Sequence, residues 1–199
     1  MKETHILFSA PMVRGILEGR KTQTRRIVKG QALEFLESFV PEFVSLKENG
    51  FSKYGYAGDK LWVKETWQYV DFCGEDNGYV YRATDPDWET MEGWTWKPSI
   101  FMPKKACRTF LDITDLRIEK LQDISEEDAI SEGIIEFTKD DKLAKYWYDH
   151  EGVWSDMPYT AKEAFEMLWV SINGEQSWNE NPWVWVIDFK RENMSKNEI

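Results

Sequence analysis

The sequence predicts one α+β domain in which short strands form a small mixed β-barrel and a few helices pack outside it. Its 199 residues are enough for one domain with insertions, and 42% of them are hydrophobic, so a sizeable core can form. Strand-like runs alternate with only a few short helical patterns, without the strict rhythm of a parallel βαβ fold.

The chain begins with a predicted strand and a short helix. Residues 4–8 (THILF) form an apolar run typical of a strand, and Pro11 then favours the first turn of a helix. The helix has one apolar face, formed by Val13, Ile16 and Leu17. Gly19 ends it, and residues 30–54 show only weak helical patterns.

The middle of the chain is dominated by predicted strands. A Gly-Asp turn at 58–59 precedes the first of them. Apolar, β-branched and aromatic residues predict strands over 60–67, 79–82, 107–113 and 116–121. Residues 85–98 contain three tryptophans without a period and are expected to be an irregular excursion.

Two helices with N-terminal caps are predicted in the C-terminal half. Ser125 followed by Asp128 is a variant capping box, and Gly133 ends that helix. Thr160 and Glu163 form a regular capping box for a second helix.

The remaining C-terminal segments are a predicted loop, a strand and a tail. Residues 139–157 are polar and aromatic without a period, which predicts a loop. Residues 183–190 (WVWVIDFK) predict a strand that is buried on at least one face, and 191–199 are expected to be a flexible tail. The domain is therefore expected to span 1–190, with insertions near 31–55, 71–100 and 138–158.

Residues 19–29 carry a local concentration of positive charge. This segment is predicted to be a loop and holds five basic residues and no acidic one: Arg20, Lys21, Arg25, Arg26 and Lys29. The protein as a whole has a net charge of −11, which argues against broad binding to duplex nucleic acid. A small basic pocket for one nucleotide is compatible with that charge.

Several other classes of protein are not expected. No apolar run reaches membrane-spanning length, and the N-terminus has no secretory apolar region, so a cytoplasmic protein is expected. The two cysteines, Cys73 and Cys107, are far apart, and we expect no disulfide between them. Two cysteines and two histidines also make no standard zinc pattern, so we expect neither a metal nor another cofactor.

Four blocks in order along the chain resemble a known family. The basic segment has the pattern Gly19-x-Lys21-x-x-Thr24-x-Arg26. The turn and strand at 58–63, the acidic helix at 124–133 and the closing strand at 183–189 follow it in the expected order. Together they resemble the ASCH domain family, a branch of the PUA-like superfamily. Three longer blocks, at 61–67, 97–103 and 181–185, look like the phage and prophage members, and the resemblance spans about residues 4–190.

The resemblance implies a PUA-like barrel and two kinds of function. Members of the family were proposed as RNA-binding domains, and a small member is an amidohydrolase that deacetylates N4-acetylcytidine. In that hydrolase a lysine and a threonine of the basic motif act with a glutamate of the acidic helix. The matching positions here are Lys21, Thr24 and Glu132, and Arg26 matches a further motif arginine.

Amide hydrolysis gives these residues definite roles. A threonine hydroxyl becomes a nucleophile when a neutral amine takes its proton, so the pKa of Lys21 must fall from about 10.4 towards 7–8. Neighbouring cations and burial would lower that pKa, whereas contact with Glu132 would raise it. We therefore assign Lys21 as base, Thr24 as nucleophile, Glu132 as acid or orienting group, and Arg26 as anion-binding group.

Six residues are candidate ligand contacts: Arg20, Arg25, Arg26, Glu65, Trp67 and Arg108. A surface ion pair is the alternative for Arg25. Glu65 and Trp67 lie on one face of a predicted strand, where Trp67 could stack on a base or pack in the core. Local turn bonding is the alternative for Thr24, and a solvated helix end is the alternative for Glu132.

Three hypotheses for function follow. The first is a nucleoside- or nucleotide-recognising protein that acts as a hydrolase on N4-acetylcytidine-like substrates. The second is a non-catalytic module that binds single-stranded RNA through Lys21, Arg25 and Arg26. The third is a phage assembly or interaction protein whose tryptophan-rich insertions bind a partner. The sequence leaves open the substrate, the choice between free nucleoside and RNA, the oligomeric state and the role of the insertions as a lid.

Overall fold

The computed structural model describes residues 1–71, 78–87, 93–139, 143–148 and 158–192, and these form a mixed α+β fold. The strands are β1 (Glu3–Leu7), β2 (Gln23–Ile27), β3 (Lys60–Lys64), β4 (Trp67–Val70), β5 (Gly78–Tyr81), β6 (Phe110–Lys120), β7 (Ile135–Lys139), β8 (Leu143–Trp147) and β9 (Trp183–Arg191). The helices are α1 (Ala10–Leu17), α2 (Gln31–Phe35), α3 (Pro41–Val44), α4 (Glu126–Ser131), α5 (Ala161–Asn173) and α6 (Gln176–Asn179).

Five strands form the main sheet in the order β1-β3-β6-β9-β2. The β1–β3 pair is parallel, and the other three pairs are antiparallel. Two hairpins, β4–β5 and β7–β8, lie beside this sheet. Strands β1 and β2 are therefore the two edges of the main sheet.

Strand β9 is buried on both faces, which explains its nearly continuous apolar sequence. Trp185, Ile187 and Phe189 point into one hydrophobic core, together with α1 and the apolar residues of β3 and β6. Val184 and Val186 point into a second core on the opposite face, which is covered by α4, α5 and α6. The sheet thus lies between two layers of packed side chains.

The barrel expected from the sequence is not closed. No backbone pairing joins β1 to β2 within the described residues, and the main sheet keeps two edges. The two edges nevertheless lie close together. The Nη2 of Arg26 on β2 donates to the backbone oxygen of Leu7 on β1 at 2.9 Å. A side chain, rather than a strand ladder, connects the two edges.

The strands at both ends of the chain and the capped helices confirm the sequence predictions. β1, α1 and β9 lie where the patterns placed them. Ser125 caps α4 by accepting from the Asp128 backbone N–H, and Thr160 caps α5 with the reciprocal bond from Glu163.

Some predicted boundaries in the middle of the chain are wrong. The two strands expected at 107–113 and 116–121 are one strand, β6, which passes through an irregularity between Ile113 and Asp115. The single strand expected at 60–67 is divided into β3 and β4.

Two of the segments expected to lack regular structure are partly ordered. The loop expected at 139–157 includes strand β8, whereas 149–157 lie outside the described residues. The tail expected from residue 191 is wrong for its first two residues, because Arg191 belongs to β9 and Glu192 accepts from Lys60. Cys73, Trp88 and residues 193–199 lie outside the described residues. No helix in the described part of the chain has the length and apolar character needed to cross a membrane.

Candidate functional site

The centre of the basic segment is a strand, whereas the sequence predicted a loop over all of 19–29. Gln23–Ile27 forms β2 and pairs with β9, with Thr24 opposite Ile187 and Arg25 opposite Val186. Because β9 is apolar and buried, the residues opposite it are drawn into the protein, and Thr24 and Arg25 are at most 3% exposed. The polar composition of the segment reflects buried ion pairs instead of a solvated turn.

Lys21 is buried immediately before β2 and is held next to the end of α4. The backbone N–H of Thr22 donates to the carbonyl of Ser131 at 2.9 Å, which joins the two segments. The Lys21 Nζ lies 2.6 Å from Oε2 of Glu132 and 2.7 Å from the Glu132 backbone oxygen. Lys21 is 3% exposed and Glu132 is 5% exposed. The two residues that the resemblance paired are therefore in direct contact, although 111 residues separate them.

Burial lowers the pKa of the Lys21 amine below its usual range. The Glu132 carboxylate opposes this shift by attraction and by its hydrogen bond, and the nearby charges of Arg26 and Arg25 support it. The net direction is the one that a catalytic amine requires. The lysine thus shares a buried hydrogen bond with the Glu132 carboxylate, while burial lowers the pKa of its own amine.

Arg25 binds the other oxygen of Glu132 and joins a buried ion network. Its Nη1 lies 3.3 Å from Glu132 Oε1, and its Nη2 lies 2.6 Å from Glu119 and 3.0 Å from Asp128. Arg117 donates to Asp128 at 2.9 Å and continues the network. The sequence left a surface ion pair as the alternative for Arg25. Arg25 does form ion pairs, but its side chain is fully buried and does not lie on the surface. Arg25 fixes Glu132 from the side opposite Lys21.

Thr24 lines a cavity of about 230 Å³, which we call the threonine cavity. Its lining includes Thr24, Arg26, Lys29, Lys53, Tyr54, Glu132, Phe165 and Trp169. No hydrogen bond of the Thr24 hydroxyl is found among the described residues, so this hydroxyl is available to a ligand. The local turn bonding considered for Thr24 is absent from this part of the structure.

A second cavity, which we call the lysine cavity, has a volume of about 220 Å³ and is lined by Lys21, Arg20 and Gly133. The two cavities share four lining residues: Met12, Glu132, Leu168 and Ile172. Each is somewhat smaller than the roughly 300–1,000 Å³ of typical small-molecule sites. Glu132 lies on both walls, with the Lys21 amine on one side and Thr24 on the other.

Arg26 and Arg20 have different environments. Arg26 lies over the Phe8 ring and donates to the Leu7 backbone oxygen, and it makes no ion pair with a described carboxylate. Burial lowers its pKa, with partial opposition from Tyr54 and Glu132. Arg20 instead pairs with Glu18 and donates to the Gly133 backbone oxygen at 3.3 Å. Arg26 is thus the better placed of the two for an anionic ligand.

Three predicted ligand contacts lie in a different cluster. Glu65 accepts two hydrogen bonds of 2.9 Å from Arg108, whose guanidinium lies over the Tyr81 ring. Trp67 is 7% exposed and packs in a small core with Tyr81 and Met102. None of Glu65, Trp67 and Arg108 lines the threonine cavity or the lysine cavity.

Several lining residues were not identified from the sequence. Lys53 and Tyr54 belong to the weakly patterned region, and Trp169 belongs to α5, where it matched an ordinary apolar face. Lys29 was counted in the basic segment but had no assigned role. No local signal places these four residues together, because only the tertiary fold brings them to one cavity.

The described residues contain no group of three or more His, Cys, Asp or Glu side chains arranged to hold a metal ion. Comparisons with family models, with curated proteins and with solved structures find no match to this chain. The function must therefore be argued from the site itself.

Proposed function

We propose that this protein is an ASCH-type, PUA-like domain that binds a nucleoside and hydrolyses an N4-acyl amide of the N4-acetylcytidine type. Lys21 is the base, Thr24 the nucleophile and Glu132 the proton-exchanging partner of Lys21. Arg26 is the anion-binding group. A single observation carries the proposal: Glu132, which a buried ion pair joins to Lys21, lines a cavity that also presents the Thr24 hydroxyl.

The shape of the sheet supports the PUA-like part of the proposal. The hydrogen bond from Arg26 to Leu7 brings the edge strands β1 and β2 together, as an incompletely closed barrel requires. Helix α1 packs on one face of this sheet in the first hydrophobic core, and helices α4–α6 pack on the opposite face in the second. These features agree with the fold that the motif order implies.

The chemistry begins with a proton transfer inside the ion pair. When Lys21 gives a proton to Glu132, a neutral amine and a neutral carboxyl remain on two side chains that are at most 5% exposed. Burial favours this neutral pair because it penalises charge. The neutral amine then takes the proton of the Thr24 hydroxyl through a bound water, because Lys21 and Thr24 line different cavities that share Glu132.

The covalent steps form a threonyl ester and then hydrolyse it. The Thr24 oxygen bonds to the acyl carbon, the carbon–N4 bond breaks, and the departing nitrogen takes a proton from the Lys21 ammonium, which releases cytidine. Water, deprotonated by Lys21, attacks the threonyl ester. Acetic acid leaves, and the Lys21 ammonium returns its proton to the Thr24 oxygen. This is the usual two-step division of acyl transfer by a covalent nucleophile.

The threonine cavity also offers contacts for a base and a sugar. Tyr54, Phe165 and Trp169 provide aromatic surface, and Asn173 provides an amide at the rim. Aromatic side chains bind bases by stacking regardless of their sequence. Ion pairing of Arg20, Lys21 and Arg25 weighs against the alternative RNA module, which requires Lys21 and Arg25 to contact phosphates equally.

The test is an assay of cytidine and acetate release from N4-acetylcytidine. We expect release by the wild type and a loss of about 10³-fold or more in Lys21→Met and in Thr24→Val. Thr22→Val is the matched control, because Thr22 is exposed in the same segment and lines neither cavity. Absence of release by the folded wild type, or full activity in Thr24→Val, would contradict the proposal.

A further inference from the structure

Three cations at the threonine cavity have no carboxylate partner. Arg26, Lys29 and Lys53 all line this cavity, and none of them makes an ion pair with a described acidic residue. Arg26 belongs to β2, Lys29 follows that strand, and Lys53 comes from the segment before β3. Two separate parts of the chain thus contribute positive charge to one cavity.

This arrangement differs from the rest of the basic segment. Arg20 is neutralised by Glu18, Lys21 by Glu132, and Arg25 by Glu119 and Asp128. Most of the positive charge in the segment therefore has an internal partner.

The one carboxylate in the cavity does not balance the free cations. Glu132 is already bound by Lys21 on one oxygen and by Arg25 on the other. The charges of Arg26, Lys29 and Lys53 are therefore left for a ligand, in a protein whose net charge is −11.

We propose that Arg26, Lys29 and Lys53 form a phosphate subsite beside Thr24 and Glu132. The ligand is a nucleoside that carries a phosphate, either as a nucleotide or as a residue within RNA. An arginine fork and two lysine ammonium groups are the donors that proteins commonly use for phosphate. Arg26 donates one hydrogen bond to the Leu7 backbone oxygen, which leaves most of its five N–H donors for phosphate oxygens.

A third cavity shows where a longer ligand would continue. A cleft of about 350 Å³ is lined by residues 4–7 of β1 together with Arg26, Lys53 and Tyr54. Two of the three cations thus lie between this cleft and the threonine cavity. A phosphodiester held by them would have its nucleoside in the threonine cavity and its neighbouring nucleotide in the cleft.

The first experiment tests the subsite without any hydrolysis. Inorganic phosphate is titrated into the wild type and into the double variant Lys29→Gln/Lys53→Gln by calorimetry. We expect the dissociation constant to rise at least about tenfold in the variant. The control is Lys105→Gln/Lys190→Gln, which removes the same charge from exposed residues that line none of the three cavities. No measurable phosphate binding by the wild type, or equal weakening in both variants, overturns the proposal.

The second experiment identifies the source of the phosphate. This part rests on the proposed function, because it compares N4-acetylcytidine, its 5′-monophosphate and a dinucleotide with the modified cytidine at the 3′ end. We expect the monophosphate to bind at least about tenfold tighter than the nucleoside, and the variant to remove this gain. A further gain with the dinucleotide assigns RNA as the ligand, and no further gain assigns the nucleotide.

The two proposals can fail separately. Equal affinity for the nucleoside and its monophosphate in the wild type contradicts the phosphate subsite and leaves the amidohydrolase unaffected. Phosphate binding that depends on Lys29 and Lys53, without cytidine release from any substrate, supports the subsite and contradicts the hydrolase.

Discussion

Glu132 and Glu65 are both buried carboxylates that pair with cations, yet their surroundings differ. Glu65 is 1% exposed and is held by Arg108 through two 2.9 Å bonds. Glu132 is 5% exposed and is shared between Lys21 and Arg25. Both were candidate site residues, and only Glu132 lies on the wall of a cavity described above.

The difference separates a structural ion pair from a chemically useful one. Glu65 lines none of the three cavities described above, and its neighbours pack closely: Arg108 lies 3.9 Å from the Tyr81 ring centre and Met102 contacts the Glu65 backbone. Around Glu132 two cavities remain, and a free hydroxyl is present in one of them. Burial and pairing alone therefore do not define a site, because structural ion pairs have both.

The largest expected effect is on catalysis, and it compares Glu132→Gln with Glu65→Gln. Glu132→Gln removes the group that we propose as the proton-exchanging partner of Lys21, so we expect deacetylation of N4-acetylcytidine to fall about 10²–10⁴-fold. Glu65→Gln is expected to retain the kcat of the wild type and to lower stability only. Turnover assays and urea denaturation of both variants measure the two effects, and equal loss of activity in both would remove the distinction.

The second largest expected effect is on stability, and it compares Arg108→Met with Lys21→Met. Arg108→Met leaves Glu65 buried without its cation, which is expected to cost about 3–5 kcal/mol. Lys21→Met is expected to cost less, because Glu132 keeps the bond to Arg25. The free energies of unfolding from urea titrations give the order. The reverse order would mean that Arg25, at 3.3 Å, does not compensate the Glu132 charge.

The sequence predicted the elements whose local signals agree with the fold. Ser125 and Thr160 marked the starts of α4 and α5 by capping, which depends on neighbouring residues only. The apolar run of β9 predicted a buried strand in the same way. The basic segment was predicted wrongly because its partners lie far away in sequence. Arg25, for example, binds Glu119 and Asp128.

The candidate site could be predicted only through the motif resemblance. Nothing local to Lys21 indicates contact with Glu132, which tertiary packing brings to 2.6 Å. For the same reason, the sequence could not separate Glu65 and Arg108 from the cavities. The cations Lys29 and Lys53 carried no signal of their own, because an exposed lysine is ordinary until its neighbours in space are known.

A smaller effect is expected in the pH dependence of stability, with opposite signs in the two regions. Burial lowers the pKa of Lys21, so between that pKa and about 10.4 the unfolded chain binds more protons and the Lys21 contribution to stability rises with pH. Burial raises the pKa of Tyr81 to about 12, so between about 10 and 12 the native state binds more protons and the Tyr81 contribution falls with pH.

Two variants isolate these contributions. The difference in unfolding free energy between wild type and Lys21→Met is expected to grow with pH in favour of the wild type. The corresponding difference for Tyr81→Phe is expected to shrink above about pH 10. Urea titrations at several pH values measure both. A pH-independent difference between wild type and Lys21→Met would mean that the Lys21 amine holds its proton as firmly in the native state as in the unfolded chain.

The smallest effect compares one hydrogen bond at the edge of each cluster. Ser125→Ala removes the cap that accepts from Asp128 at 3.0 Å and is expected to cost about 1 kcal/mol. Thr84→Val removes a bond from Arg108 at an exposed position and is expected to cost less than about 0.5 kcal/mol.

The activity of these two variants is the sharper readout. Asp128 lies in the first turn of α4 and Glu132 is the C-cap of that helix, and the Asp128 carboxylate binds Arg25, which also binds Glu132. A loosened first turn of α4 should therefore lower kcat/KM by more than the fraction unfolded explains. Thr84→Val should leave kcat/KM unchanged, because Arg108 keeps both bonds to Glu65. If Ser125→Ala loses stability but keeps full activity, then Lys21 alone positions Glu132, and the Arg25 network serves the fold and not the site.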